Sequence, residues 1–201
     1  MEPVRIVTGR AVPLDRADVD TDQIIPSAWL KRIERTGYAE GLFAAWRKDP
    51  TFVLNDARYR SATILVAGDN FGCGSSREHA VWALREYGFR AVIAPRFADI
   101  FRANCLRDGL VPVTLDGALV TRLLRAVEAD PSLELTVDVA RRRVRAPGTG
   151  VEATFELEDF SQRRLLAGLD DIALALRHER AISDYEARRQ GWLPTVVRAG
   201  P

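Results

Sequence analysis

Three apolar runs between residues 62 and 115 frame this chain: Ala62-Thr63-Ile64-Leu65-Val66-Ala67, Ala91-Val92-Ile93-Ala94, and Leu110 to Leu115. Short unbroken runs rich in β-branched residues are the pattern of strands covered on both faces. Between them the periodicity becomes helical over Ala80 to Tyr87, with Gly88 to end it, and over Phe97 to Arg107, with Gly109 to end it. Strand, helix, strand, helix, strand reads as two βαβ crossovers around a parallel sheet, whose ligand sites lie beyond the carboxyl ends of the strands. An earlier strand is predicted from Val4 to Val12, ending near Pro13.

After residue 115 the pattern changes. Leu119 to Ala129 is helical, whereas Leu133 to Val139 and Val151 to Glu156 alternate apolar and polar residues with a period of two. Pro147-Gly148-Thr149-Gly150 is a turn cluster between these runs, and with Arg143-Val144 on the approach they predict a meander with one face buried. From Ser161 to Gln190, Leu165, Leu166, Leu169, Ile172, Leu176 and Ile182 mark one or two helices with a break at Gly168. No repeat and no linker divides the chain, so the expected organisation is a single α/β domain, 1–201, with a C-terminal helical extension from about 160.

Residues 20 to 55 form a long connection, of the kind that serves as a lid or binding loop. A short helix is predicted from Ser27 to Arg35, with Trp29 and Leu30 on it, a basic end at Lys31-Arg32 and Arg35, and Gly37 to stop it. Residues 38 to 47 read as a second short helix or an irregular segment ended by Asp49-Pro50.

The stretch with the densest chemistry follows the first apolar run: Gly68-Asp69-Asn70-Phe71-Gly72-Cys73-Gly74-Ser75-Ser76-Arg77-Glu78-His79-Ala80. Its three glycines predict a tight loop with positive φ and close backbone approach to a ligand. Ser75-Ser76-Arg77-Glu78 fits a capping box, which would start the helix at Ser75. A strand, a glycine loop and a helix N-terminus in sequence favour an anion, and a guanidinium in the first turn suits a carboxylate held bidentately. The inferred ligand is a small carboxylate or phosphate; the alternative is that Arg77 pairs with Glu78 or another surface acid. Upstream, Asp15, Asp18, Asp20 and Asp22 crowd into one short segment. Acids so close predict that at least one meets a cation, caps a helix or stays solvated. The stretch reads as an Asx-turn loop or as part of a site, and it lacks the glycine and distal Glu of a hand-type calcium loop.

Composition narrows the partners. In 201 residues, 29 basic and 28 acidic side chains leave a formal net charge of +1, so the global basic field of a nucleic-acid binder is missing. No apolar run approaches the roughly 18 residues of a membrane span, and Met1-Glu2-Pro3-Val4-Arg5 opens no signal-peptide apolar region, which predicts a cytoplasmic protein. Cys73 and Cys105 are too few for a disulfide framework, and with only His79 and His178 beside them they make no structural zinc or iron–sulfur site. Any metal centre is expected from a partner.

Four segments together resemble one family. They are Asp20-Thr21-Asp22-Gln23-Ile24-Ile25-Pro26, residues 30–37 (Leu30 to Gly37), residues 70–80 (Asn70 to Ala80) and residues 97–104 (Phe97 to Asn104). In this order they are similar to the small subunits of bacterial 3-isopropylmalate dehydratase, in the aconitase superfamily. The resemblance implies a swivelling β/β/α domain with a mainly parallel central sheet, like the aconitase C-terminal domain. It also implies a large-subunit partner that holds a [4Fe–4S] cluster through its own cysteines, no cofactor on this chain, and a dicarboxylate substrate. The implied reaction dehydrates 2-isopropylmalate to 2-isopropylmaleate and rehydrates it to 3-isopropylmalate in leucine biosynthesis.

By the same resemblance Ser75 is the base that takes the proton from carbon, Ser76 and Arg77 bind substrate carboxylate, and Asp22 lies at the active site. Thr21, Gly74, Leu30 and Arg32 are implied as substrate-binding residues, with Leu30, beside Ile25, offering an apolar wall to an isopropyl group. Cys73 is read as a lining residue and His79 as orienting the helix start, while His178 is structural or exposed. A sister hydro-lyase acting on homoaconitate or citraconate/methylmalate is the alternative within the class. An RNA-binding module is the alternative outside it, and it would need a basic face.

Overall fold

A computed structural model describes residues 1–31, 34 and 36–193. Strand β1 (Ile6–Leu14) pairs differently along its two halves. Its first half, Ile6 to Arg10, runs antiparallel to β5 (Glu134–Asp138); its second half, Ala11 to Leu14, runs parallel to β2 (Ile64–Ala67). Burial follows the pairing: the first half is partly exposed and the second wholly buried. A strand inside a two-face-covered sheet must be apolar throughout, and a half-covered one need be so only at alternate positions.

On one side of β1 stand β2, β3 (Ala91–Ala94) and β4 (Val111–Thr114), all parallel; on the other stand β5, β6 (Arg143–Ala146) and β7 (Val151–Thr154), antiparallel. The seven strands form one sheet in the order β4-β3-β2-β1-β5-β6-β7. The strand predicted to end near Pro13 continues through it. Pro13 faces β2 on one side, while the pairing with β5 stops at Arg10, so no ladder hydrogen bond is lost to the missing N–H.

The crossover helices are α2 (Glu78–Tyr87) and α3 (Asp99–Asp108), preceded in the chain by the single-turn α1 (Thr21–Ile24). Helix α4 (Gly117–Ala129) buries Val120, Leu123, Leu124 and Val127, an i, i+3, i+4, i+7 stripe, against β1, β2 and β3. The described residues of the connection from 25 to 62 form several short 3₁₀ turns, and the helix predicted from Ser27 to Arg35 is such a turn over Ser27–Lys31, with residues 32, 33 and 35 outside the described ones. Its floor is aromatic: Phe43 and Phe52 are buried, Phe43 stacks on Trp46 at 5.2 Å, and Arg16 lies over Trp46 at 4.3 Å.

The C-terminal segment folds as three helices rather than one or two: α5 (Asp159–Ala167), α6 (Asp171–Leu176) and α7 (Glu179–Ala187). Gly168 makes the predicted break, and a second falls at Arg177-His178. Leu165 is buried and its carbonyl accepts from the Val4 amide, whereas Ile172, Leu176 and Ile182 are exposed. Among the described residues no helix is long and apolar enough to cross a membrane.

Candidate active site

The loops leaving β1, β2 and β3 hydrogen-bond to one another beyond the strands' carboxyl ends. The Val19 carbonyl accepts from the amides of Gly72 (2.7 Å) and Cys73 (3.2 Å), and the Thr21 amide donates to the Cys73 carbonyl at 2.9 Å. On the other side the Phe71 amide donates to the Arg96 carbonyl at 3.0 Å, and the Ala98 amide donates back to Phe71 at 3.1 Å. The parallel ladder therefore continues past the sheet, and it presents the acidic loop, the glycine loop and the start of α3 side by side.

Gly72 makes this arrangement possible. It sits at φ +77°, and a Cβ there would meet the Phe101 ring at 2.2 Å. Gly74 also has positive φ, whereas Gly68 serves close approach alone, since a Cβ there would lie 2.4 Å from the Arg16 carbonyl oxygen.

The helix does not begin where the capping box predicts. Helix α2 starts at Glu78, its N-cap is Arg77 in an extended conformation (φ −140°, ψ 106°), and no side chain caps it. Ser75 and Ser76 therefore lie in the loop, exposed. The reason is tertiary: Arg77 reaches across to α1 and holds the Asp22 carboxylate with both terminal nitrogens, one of the two contacts at 2.7 Å. Glu78, instead of reaching back to a cap, pairs with Arg107 at 2.9 Å. The Thr21 hydroxyl donates to the Ser75 carbonyl at 2.8 Å, which ties the serine loop to α1 at a second point.

The acidic run meets all three fates that its density implies. Asp20 caps α1 in a capping box with Gln23, Asp22 takes the guanidinium, and Asp18 stays exposed and accepts from the Asn70 side chain at 2.7 Å. Hydrogen bonding to Arg77 holds the Asp22 carboxyl below the usual carboxylate range.

Thr21, Gly74, Ser75, Ser76 and Arg77 line one cavity of about 250 Å³. Its far wall is the start of α3, with Asp99 and Ile100. Helix α3 also has no side-chain cap, and its first residues border the same space as Arg77, the N-cap of α2. No site role was expected of α3 from its own residues, although the stretch from Phe97 to Asn104 is one of the four that carry the family resemblance. A broader depression of about 1010 Å³ lies past Asp99, and Arg96, Arg102, Asp116 and Glu156 are among the residues that line it. It has none of the serine hydroxyls, which leaves the smaller cavity as the candidate site.

Other predicted residues are placed as follows. Leu30 is half-buried at the end of its 3₁₀ turn and does not line the cavity, Ile25 is fully buried in the core, and Arg32 lies outside the described residues. Cys73 contributes backbone rather than a lining thiol; burial, then Asp20 and Asp18, push that thiol's pKa up. Cys105 is fully buried in the core. His79 packs against Trp82 at 4.7 Å and Tyr38 at 5.4 Å, and burial lowers its pKa. Among the described residues no group of three or more His, Cys, Asp or Glu is placed to hold a metal ion.

A serine–arginine loop at the carboxyl edge of parallel strands, matched over residues 1–118 by the family model of the aconitase C-terminal domain, defines the class of this chain. Two further models match beyond it: LeuD_N over 121–159, and over 171–199 the C-terminal domain of the 3-isopropylmalate dehydratase small subunit. Proteins named 3-isopropylmalate dehydratase small subunit are similar along the whole length. The one from Parafrankia sp. is 64% identical over 98% of this chain and 100% of its own, and the one from Rubrobacter xylanophilus is 57% identical over the same shares. A crystal structure of 3-isopropylmalate dehydratase from Methanocaldococcus jannaschii superposes with a TM-score of 0.66 at 29% identity, covering 89% of this chain and 98% of that one. The chain belongs to the 3-isopropylmalate dehydratase small-subunit family.

Proposed function

We propose that this chain is the small subunit of a hydro-lyase that interconverts 2-isopropylmalate and 3-isopropylmalate through 2-isopropylmaleate, the site being finished by a large subunit. The observation that carries this reading is the meeting of Ser75, Ser76 and Arg77 in one cavity at the strand ends, with Arg77 held from α1 by Asp22. In the dehydration, Ser75 as alkoxide takes the proton from carbon and becomes a hydroxyl, the electron pair of that C–H bond forms the double bond, and the C–O bond on the adjacent carbon breaks with release of hydroxide. Rehydration reverses these steps with the hydroxyl on the other carbon.

A serine hydroxyl is a weak base near neutral pH, so the alkoxide needs surrounding donors. In this reading the Arg77 guanidinium, on the same cavity wall as Ser75, supplies that field. Arg77 has five N–H donors and gives two contacts to Asp22, which leaves donors for a substrate carboxylate. Asp22 fixes the plane of the guanidinium, Ser76 shares the carboxylate, and Gly74 lets the backbone approach it. Thr21 holds the Ser75 carbonyl and hence the loop. The donor set of this chain does not fit a [4Fe–4S] cluster, because Cys105 is sealed in the core and Cys73 has no thiolate partner. In this reading the cluster belongs to the large subunit and supplies a Lewis acid.

Anaerobic reconstitution tests the reading. The chain alone is expected to carry no stoichiometric iron or sulfide and to leave isopropylmalate unchanged, and adding a large subunit with its cluster is expected to start isomerisation. Activity or cluster iron in the isolated chain overturns the two-subunit reading. Turnover of homoaconitate or citraconate in preference to isopropylmalate moves the assignment to a sister hydro-lyase.

A further inference from the structure

The loop between α1 and the aromatic floor starts beside the cavity, and its far end is pinned to α2, the helix whose N-cap Arg77 lines that cavity. It leaves α1, which carries Thr21 and Asp22, and closes on itself where the Phe43 amide donates to the Ile24 carbonyl at 2.7 Å. Described residues from 26 to 37 are exposed or half-buried. Trp29 packs on Gly41, where a Cβ would come within 2.7 Å of the indole. The returning end is held by Tyr38. This side chain is 1% exposed, set edge-on to His79 and tilted against Trp82 at 5.6 Å, and its hydroxyl donates to the Glu34 carbonyl at 3.0 Å.

The polar part of this anchor comes from Glu86. The 3₁₀ turn Tyr38–Gly41 begins after Gly37, which has no side chain to cap it, and its first amides would otherwise lack an acceptor. One carboxylate oxygen of Glu86 accepts from the Tyr38 amide at 2.6 Å and from the Ala39 amide at 3.3 Å. Glu86 thus caps a turn of the loop from a remote element. That element is α2, the helix whose start carries Arg77. Hydrogen bonds to an ionised acceptor are shorter and stronger than neutral ones, so the latch is a stiff one.

We infer that Glu86 is a positioning residue: by capping the Tyr38 turn from α2 it fixes the 25–42 loop relative to the Arg77 helix, and so sets the fit of the substrate held there. His79 and Trp82 form the apolar part of the same latch. Only the kinetic part of this inference rests on the function proposed above.

The test uses Glu86→Ala and Glu86→Gln in the full chain, followed by hydrogen exchange alone and by kinetics with the large subunit. In Glu86→Ala the amides of Tyr38, Ala39 and the preceding loop are expected to exchange about tenfold faster or more, with the sheet amides unchanged. Glu86→Gln, which keeps an oxygen acceptor, is expected to restore most of the protection. In the reconstituted enzyme KM for isopropylmalate is expected to rise about tenfold in Glu86→Ala with kcat within about twofold, and Gln is expected to recover most of it. Unchanged loop exchange in Glu86→Ala overturns the latch, and faster exchange with unchanged KM overturns the positioning role. If Glu86→Ala loosens the whole sheet, Glu86→Gln decides by the same two measurements. A wild-type complex inactive on every hydroxy acid defeats the proposed function, and hydrogen exchange then decides alone for Glu86.

Discussion

The Arg77–Asp22 pair is the contact that most changes how the residues of the site act. Asp22 is more than half exposed, yet Arg77 is largely covered, so the guanidinium has one favoured orientation. The pair sets the pH behaviour too. A carboxyl held below its ordinary range in the folded chain contributes stability above its unfolded pKa, and loses it as pH falls through the lower folded value. Arg77 therefore keeps its anchor throughout the neutral range and loses it only in strong acid. Because Ser75 lies outside the helix and caps nothing, Ser75→Ala separates chemistry from folding. Turnover of the reconstituted enzyme is expected to fall about 10²- to 10⁴-fold, the usual contribution of a positioned base. The melting temperature of the isolated chain is expected to stay within about 1 °C, since no capping bond is lost. Turnover near wild type removes Ser75 as the base, and a large loss of stability restores the capping role.

Among the elements, the joint between the glycine loop and α3 governs the shape of the cavity. Gly72 lies against Phe101, which is buried and touches Phe71 edge-on at 5.4 Å. Gly72→Ala would put a methyl inside that ring and place an L-residue at positive φ. Together these cost about 2–5 kcal/mol from left-handed strain and overpacking. The melting temperature is expected to drop by on the order of 10 °C for a chain of this length. A drop below about 2 °C would mean that the loop relaxes freely away from α3. The same joint explains why α3 joins the site: Phe101 holds its first turn against Gly72, and this leaves Asp99 and Ile100 on the cavity wall.

For the molecule as a whole, the sheet and α5 carry buried apolar side chains, while α6 and α7 bury none. Ile172, Leu176, Ile182, Tyr185 and Trp192 are all exposed, from 40% for Ile182 to 77% for Trp192. Exposed apolar groups gathered on one terminal segment favour association. The purified chain is expected to form concentration-dependent oligomers in sedimentation velocity. Replacing Ile172 and Leu176 by Ser is expected to reduce them without lowering the melting temperature. A chain that stays monomeric at every concentration removes this expectation.

Local pattern determined much of this protein. The apolar runs at 64–67, 91–94 and 111–114 became the parallel strands because burial on both faces admits little else, and the period-two runs became the meander. The glycine loop and its hydroxyls read locally as candidate anion-site material, whereas the acidic run read as an Asx-turn loop or part of a site, and only the family resemblance singled out Asp22. What the sequence could not decide was set by contacts across long separations. Ser75 fits a cap by spacing, but the helix starts at Glu78 with Arg77 extended and paired bidentately to Asp22, 55 positions away. The start of α3 entered the site only because Phe71 and Phe97 bridge the loops. Glu86 looks like an ordinary helix-surface acid until the fold brings the amides of Tyr38 and Ala39 to it. Periodicity reports what a residue must do for its own element, and only the tertiary structure shows what it does for a neighbouring one.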